Sequence, residues 1–316
     1  MPEALPLWND LLQATRRFFA ERGFAEVHTP LALPEVIPER HIEPVQTADG
    51  LFLQASPELA MKRLLCGRSG PIFQIGKAFR DDEHGRLHRR EFTMLEWYRP
   101  GDDLRAGMQL LDEFVQATLG TPPCVRASYR DAFWRACRVD PLNATSKVLA
   151  GVANDLEVAI EDAADLRRDD WLNLLLSSAV EPRLGRDAPE IVYHYPASQA
   201  ALASTATDAI GIEVAERFEL CCRGVELANG YHELTDAAEL RRRLVEVNEQ
   251  READGRRALP LPESLLADME TKGLRPCAGV ALGFDRLVML AAGAQSLAEI
   301  DPLADMVAVD DGSARE

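Results

Sequence analysis

What this chain of 316 residues lacks narrows its chemistry before any motif is read. Basic charge is short: 35 Lys and Arg stand against 52 Asp and Glu, a net charge of −17. A protein that grips a long nucleic acid needs a basic face to displace counterions from phosphates, so an extended nucleic-acid footprint is not expected. Long apolar runs are missing too. The strongest, GVALGFDRLVMLAAGA, is broken by Asp285 and Arg286 and cannot span a bilayer. The first residues, MPEALPLWNDLLQATRR, have neither the basic start nor the continuous apolar stretch of a signal peptide. The cysteines at 66, 124, 137, 221, 222 and 277 form no CxxC pair and no zinc spacing, so free thiols in a reducing cytoplasm are expected. There are no internal repeats and no clean linker. What is present, 47% apolar and 28% charged residues, suits a soluble globular chain with a substantial core.

The pattern predicts a helix over 7–22, a short strand in FAEVHTP, and an irregular, proline-bearing excursion over 31–50. LFLQAS reads as a strand leading into a helix, PELAMKRLL, with Pro57 suited to its first turn. A hairpin occupies 71–99, and 104–190 is mostly helical in pattern. EIVYHYPASQAAL runs from strand to loop, and AERFELCCRGVELANGYHEL reads as a second hairpin turning at Arg223-Gly224. The next helix starts at Asp236 with Glu239 at capping-box spacing, and GVALGFDRLVML passes from strand to helix. Strands that come in hairpins rather than in βαβ order predict an α+β fold, an antiparallel sheet with helices around it.

The first hairpin carries unusual charge in FRDDEHGRLHRREFTMLEWY. Strand side chains alternate, so one face presents Gln74, Gly76, Ala78 and Arg80, and the returning strand adds Phe92, Met94, Glu96 and Tyr98. Small residues ringed by an aromatic plane, a bidentate cation and carboxylates make a floor for a ligand with phosphate and amine groups. A solvated surface loop reads equally well from this stretch alone. In GVELANGYHEL, Glu226 and Glu233 lie seven apart, and strict alternation would send them to opposite faces. A bulge at Asn229-Gly230 would turn both inward, where two carboxylates and an amide suit Mg²⁺ shared with a nucleotide. In GVALGFDR, small residues at 279, 281 and 283 allow close backbone approach, and Arg286 opens a helix.

Taken in order, these stretches resemble the catalytic domain of class II aminoacyl-tRNA synthetases. FFAERGFAEVHTP resembles motif 1, FRDD…HRREF motif 2, and GVALGFDR motif 3. SPELAMKRLL, EFTMLEWY and ELANGYHELTD resemble the lysyl branch. Within it, VYHYPASQAALA and GVALGFDRLVMLAAGA look like the lysyl paralogues that ligate (R)-β-lysine to a lysine of elongation factor P. The resemblance spans nearly the whole chain and implies a single catalytic domain over 1–316 without an N-terminal OB-fold. It implies a homodimer in the cytoplasm, ATP as substrate with Mg²⁺, lysine or β-lysine as donor, and elongation factor P as acceptor.

By the same resemblance, Arg80 holds the α-phosphate, Phe92 stacks under adenine and Arg286 lies above it. Asp81, Asp82, His88, Arg89, Leu227 and Gly283 border the nucleotide, and Glu226 and Glu233 hold Mg²⁺ or orient substrate. Ser56, Pro57, Glu58, Tyr98, Glu233 and Ala281 line the amino-acid pocket, with Glu96 and Asn229 as further candidates. Three departures stand out: Asp82 where motif 2 has glutamate, Arg89 where the lysyl branch has an amide, and Ala281 where lysyl-tRNA synthetases have glycine. The Ala281 methyl would crowd an α-amino group and favour an amine on the β-carbon. A truncated lysyl-tRNA synthetase that charges tRNA and a non-catalytic synthetase-like binding module are the competing readings.

Overall fold

Two hairpins form the centre of the molecule, and their register decides which side chains meet. A computed structural model describes residues 4–81, 83, 85–158, 166–301 and 303. The chain runs α1 (Ala4–Glu21), β1 (Ala25–Glu26), β2 (Ala32–Leu33), β3 (Phe52–Leu53), α2 (Glu58–Cys66), and the hairpin strands β4 (Ile72–Phe79) and β5 (Glu91–Pro100). Then come α3 (Leu104–Leu119), β6 (Val125–Ser128), α4 (Tyr129–Cys137), α5 (Ser146–Asp155), α6 (Arg168–Leu175) and β7 (Glu190–Pro196). The last part holds β8 (Thr205–Thr207), the second hairpin β9 (Glu213–Cys222) and β10 (Val225–His232), α7 (Ala237–Ala253), α8 (Glu263–Lys272), β11 (Cys277–Gly283), α9 (Phe284–Ala291) and α10 (Leu297–Ile300).

The main sheet has the order β1-β4-β5-β11-β10-β9-β7-β6, with β8 on β9. Its body is antiparallel, as expected from the hairpins. Its two ends are not: β1 pairs with β4, and β6 with β7, in parallel. Both parallel pairs are joined by long crossovers, and β6 to β7 passes through α4, α5 and α6, the connection that parallel pairing requires. The sheet is therefore mixed. β6 escaped the sequence reading because four residues, VRAS, leave too little alternation to stand out within a helical stretch.

Local signals set the boundaries. Asp103 caps α3 by accepting the Ala106 N–H at 2.8 Å, and Asp236 caps α7 by accepting those of Ala238 and Glu239. The second hairpin turns at Arg223 (φ 54°) and Gly224 (φ 76°), the pair of positive angles that a two-residue hairpin loop needs.

Alternation then sorts the faces. On β5 and β11, Leu95, Trp97, Val280 and Leu282 go to one side, under α1, α3 and α9. Phe19 stacks on Phe73 at 4.7 Å between centroids, and Trp97 and Phe114 close the cluster. Truncating one of these rings to alanine costs about 3–5 kcal/mol. The other face of β5 and β11 is left to the cavity. It is walled by α2, α7 and α8 through Leu59, Leu240, Leu265 and Met269.

Candidate active site

The free face of the sheet floors a cavity of about 270 Å³, lined from β4–β5, the loop after β4, β10 and β11. Arg80 leaves the end of β4, and its guanidinium lies 5.1 Å from the centroid of Phe92 on β5. One nitrogen reaches Glu83 at 3.2 Å, while Nε is buried without a hydrogen-bond partner. A buried donor left open costs about 1–3 kcal/mol, so it marks a place for an anion. Arg286, in the first turn of α9, fastens the loop over the cavity. It donates to the Leu87 carbonyl at 3.2 Å and the Glu226 carbonyl at 2.7 Å, and meets His88 Nε2 at 2.6 Å. Burial and the charge of Arg286 lower the His88 pKa, so the ring is neutral at pH 7. Below, both oxygens of buried Asp285 accept the Thr93 N–H at 3.2 Å, tying α9 to β5.

The opposite end is closed. Glu96, 1% exposed, accepts from Ser56 Oγ and from Tyr98 Oη, each at 2.6 Å. Burial, then the charge of Glu58, pushes the Glu96 pKa up to about 8. Lys62, also 1% exposed, sits 2.6 Å from both Glu58 Oε1 and Glu233 Oε2. Two carboxylates overcome its desolvation and hold it charged, with its pKa raised. Glu233 is pushed up to about 7 by burial, against the pull of Lys62. Gly279 makes room for this cluster, since a Cβ there would stand 2.3 Å from Tyr98 Cε1 and 2.4 Å from Glu233 Oε1. Buried carboxylates and a phenol suit the amines of a diamino acid.

The cavity thus has an arginine with one open donor at one end and carboxylates at the other. The model of the family of class II tRNA synthetases for D, K and N matches residues 1–306. The chain belongs to the class II tRNA synthetase family. Elongation factor P--(R)-beta-lysine ligases of Salmonella dublin, Salmonella heidelberg and Salmonella agona are each 44% identical over 299 residues, covering 92% of this chain and 91% of theirs. It is an ATP-dependent ligase of the synthetase family.

Most residues singled out by the synthetase resemblance come together. Ser56, Glu58, Arg80, His88, Arg89, Phe92, Glu96, Tyr98, Glu226, Leu227, Asn229, Glu233, Ala281, Gly283 and Arg286 all line the cavity. Both Glu226 and Glu233 face inward, through a bulge between Glu226 and Ala228 rather than at Asn229-Gly230. They do not meet, however. Seven residues of strand at about 3.3 Å each set them roughly 20 Å apart, too far to share one ion. Glu226 pairs with Arg286 at 3.5 Å, and Glu233 with Lys62. Asp81 turns outward to pair with Arg90 at 2.6 Å and does not line the cavity. Pro57 opens α2 instead of lining the pocket. Arg89 is ion-paired with Asp301, which holds its charge aside from a nucleotide. Asp82 and His84 lie outside the described residues.

The sequence reading passed over Lys62, which it placed in the helix PELAMKRLL without a role. Its signal was the Glu58–Lys62 spacing of four, which places both on one face of α2. Glu83, next to the expected motif 2 acid, was also passed over. Among the described residues, no group of three or more His, Cys, Asp or Glu side chains forms a metal cluster, and no helix is long and apolar enough to cross a membrane. All six cysteines are free thiols.

Proposed function

We propose that the chain activates (R)-β-lysine as an acyl-adenylate and transfers the acyl group to a lysine side chain of elongation factor P. The observation that carries this reading is the closed end of the cavity, where Glu96, Tyr98, Glu58 and Glu233 gather around buried groups suited to two amines. The names of the curated relatives supply the donor and the acceptor.

In this reading Arg80 takes the α-phosphate with its open donor, Phe92 carries the adenine, and Arg286 and His88 border the nucleotide. The donor carboxylate is ionised at pH 7, so the first step needs positioning and charge neutralisation rather than a base. Mg²⁺ supplies further neutralisation of the phosphates when bound. The donor set fits it at Glu226, with Asn229 Oδ1, buried and without a partner, and with Glu219 opposite Asn229 on β9. Glu233 leaves the metal set and stays with the amino acid. Ala281 lies beside Glu96 in the β5–β11 ladder, where its methyl can discriminate a β-amine from an α-amine. The same reading takes the chain as one catalytic domain, working as a homodimer in the cytoplasm.

The test is amino-acid-dependent ATP–pyrophosphate exchange with (R)-β-lysine, L-lysine, aspartate and no amino acid, followed by intact-mass analysis of elongation factor P. Exchange that prefers (R)-β-lysine and a mass gain on the acceptor are expected. Preference for L-lysine would shift the reading to tRNA charging, and silence with every amino acid to a binding module.

A further inference from the structure

Glu39 is a carboxylate that neither end of the site employs, and it lies in the excursion that the sequence left irregular. Its backbone is fixed. Arg251 of α7, fully buried, donates to the carbonyl oxygens of Glu39 at 2.7 Å and Ile42 at 2.9 Å, and pairs with Glu43 at 2.6 Å. Arg40, beside it, is tied to Asp254 at 2.7 Å and Asp170 at 2.5 Å. Its side chain is free: the carboxylate is exposed and makes no hydrogen bond or ion pair with any described residue. Glu39 lines the main cavity. With Ser56 and Glu58 it also lines a smaller cavity beside β2 and β3.

The charged and titratable groups that face it are Arg80, Glu58, Arg217, Glu83 and Tyr231. It lines the cavity together with Arg80, the phosphate-binding arginine of that reading, and Glu58 of the amino-acid end. With no partner among the described residues, the carboxylate is open to accept a proton. The other acids and bases nearby are engaged: His88 with Arg286, Glu96 with Ser56 and Tyr98, Glu233 with Lys62.

We propose that Glu39 is the general base of the transfer step, taking a proton from the acceptor nitrogen as it attacks the acyl carbon. The inference rests on the adenylate-forming reading above. The acceptor ammonium first gives one proton to solvent. Its lone pair then forms the C–N bond, Glu39 takes the second proton from that nitrogen, and the acyl C–O bond breaks with its electron pair leaving on AMP. Glu39 returns its proton to solvent.

Glu39→Gln in the full chain tests this with the two half-reactions read separately. Pyrophosphate exchange reports adenylate formation, and single-turnover transfer to elongation factor P reports aminolysis. Transfer is expected to fall about 100-fold or more beyond any change in exchange. That excess shrinks as pH rises from about 7 toward the amine pKa of about 10.4, where hydroxide can replace the base. It shrinks also when hydroxylamine, an amine neutral at pH 7, replaces the protein acceptor, and Glu39→Asp restores part of the rate. Equal losses in both half-reactions, an unchanged transfer rate, or a deficit flat with pH would overturn the role of Glu39. Absence of exchange in the unaltered protein would overturn the ligase reading and this inference with it.

Discussion

At the open end of the cavity the Glu226, His88 and Glu83 side chains are 37%, 45% and 25% exposed, and arginines pair with them at the rim. At the closed end Glu96, Glu233 and Lys62 are each 1% exposed, with Glu96 held by Ser56 and Tyr98 and Lys62 by Glu58 and Glu233. Rim pairs are screened and contribute up to about 1 kcal/mol each, so a nucleotide phosphate can displace them at little cost. Sealed pairs behave otherwise, because removing one member strands a charge in low dielectric. In the function proposed above, the difference separates two tasks: the open end would exchange partners during turnover, while the closed end would keep a fixed charge arrangement that selects the donor.

Lys62→Met should break the closed end most severely. It leaves Glu58 and Glu233 facing each other, and urea unfolding should show a loss of about 3–5 kcal/mol. Adding Glu58→Gln should recover part of that loss, whereas a closed end that tolerated the single change would erase the contrast. Arg80→Ala probes the open end. Pyrophosphate exchange should fall about 100- to 1,000-fold, while the urea midpoint barely moves, since its ion pair with Glu83 is at the rim.

A smaller effect is expected with pH. Folded Glu96 keeps its proton up to about pH 8, against an ordinary value of 4.5. Between those values the folded state binds more protons than the unfolded, so this group's contribution to stability falls as pH rises. Glu96→Gln cannot ionise and should flatten that decline by on the order of 2 kcal/mol between about pH 5 and 8, read from urea midpoints. A decline as steep as in the unaltered protein would place the titrating group elsewhere. The smallest change is Ala281→Gly, which should shift the ratio of kcat/KM for (R)-β-lysine over L-lysine toward L-lysine by about 1–3 kcal/mol.

Much of the site was legible because strand alternation is strict. Arg80, Phe92, Glu96 and Tyr98 were assigned to one face from the period of two alone, and all four line the cavity. The inward turn of both Glu226 and Glu233 was legible too, but the place of the bulge was not, since Leu227 carries no turn chemistry. Lys62 was passed over because a helical lysine beside an arginine is usually solvated, and only the approach of Glu233, just after β10, supplies its second carboxylate. Glu39 was silent for a related reason. Its position depends on Arg251, 212 residues away in the chain.

Sequence by itself determined the two hairpins, most of the helices, the Asp236 cap and the membership of the family, because these depend on periodicity and on neighbours a few residues apart. Tertiary structure alone decided which carboxylates share Lys62, that Glu226 and Glu233 work apart, and that Glu39 stands free in the cavity. Those outcomes rest on distances between segments far apart in the chain and on how completely water is excluded, and neither is written in local pattern.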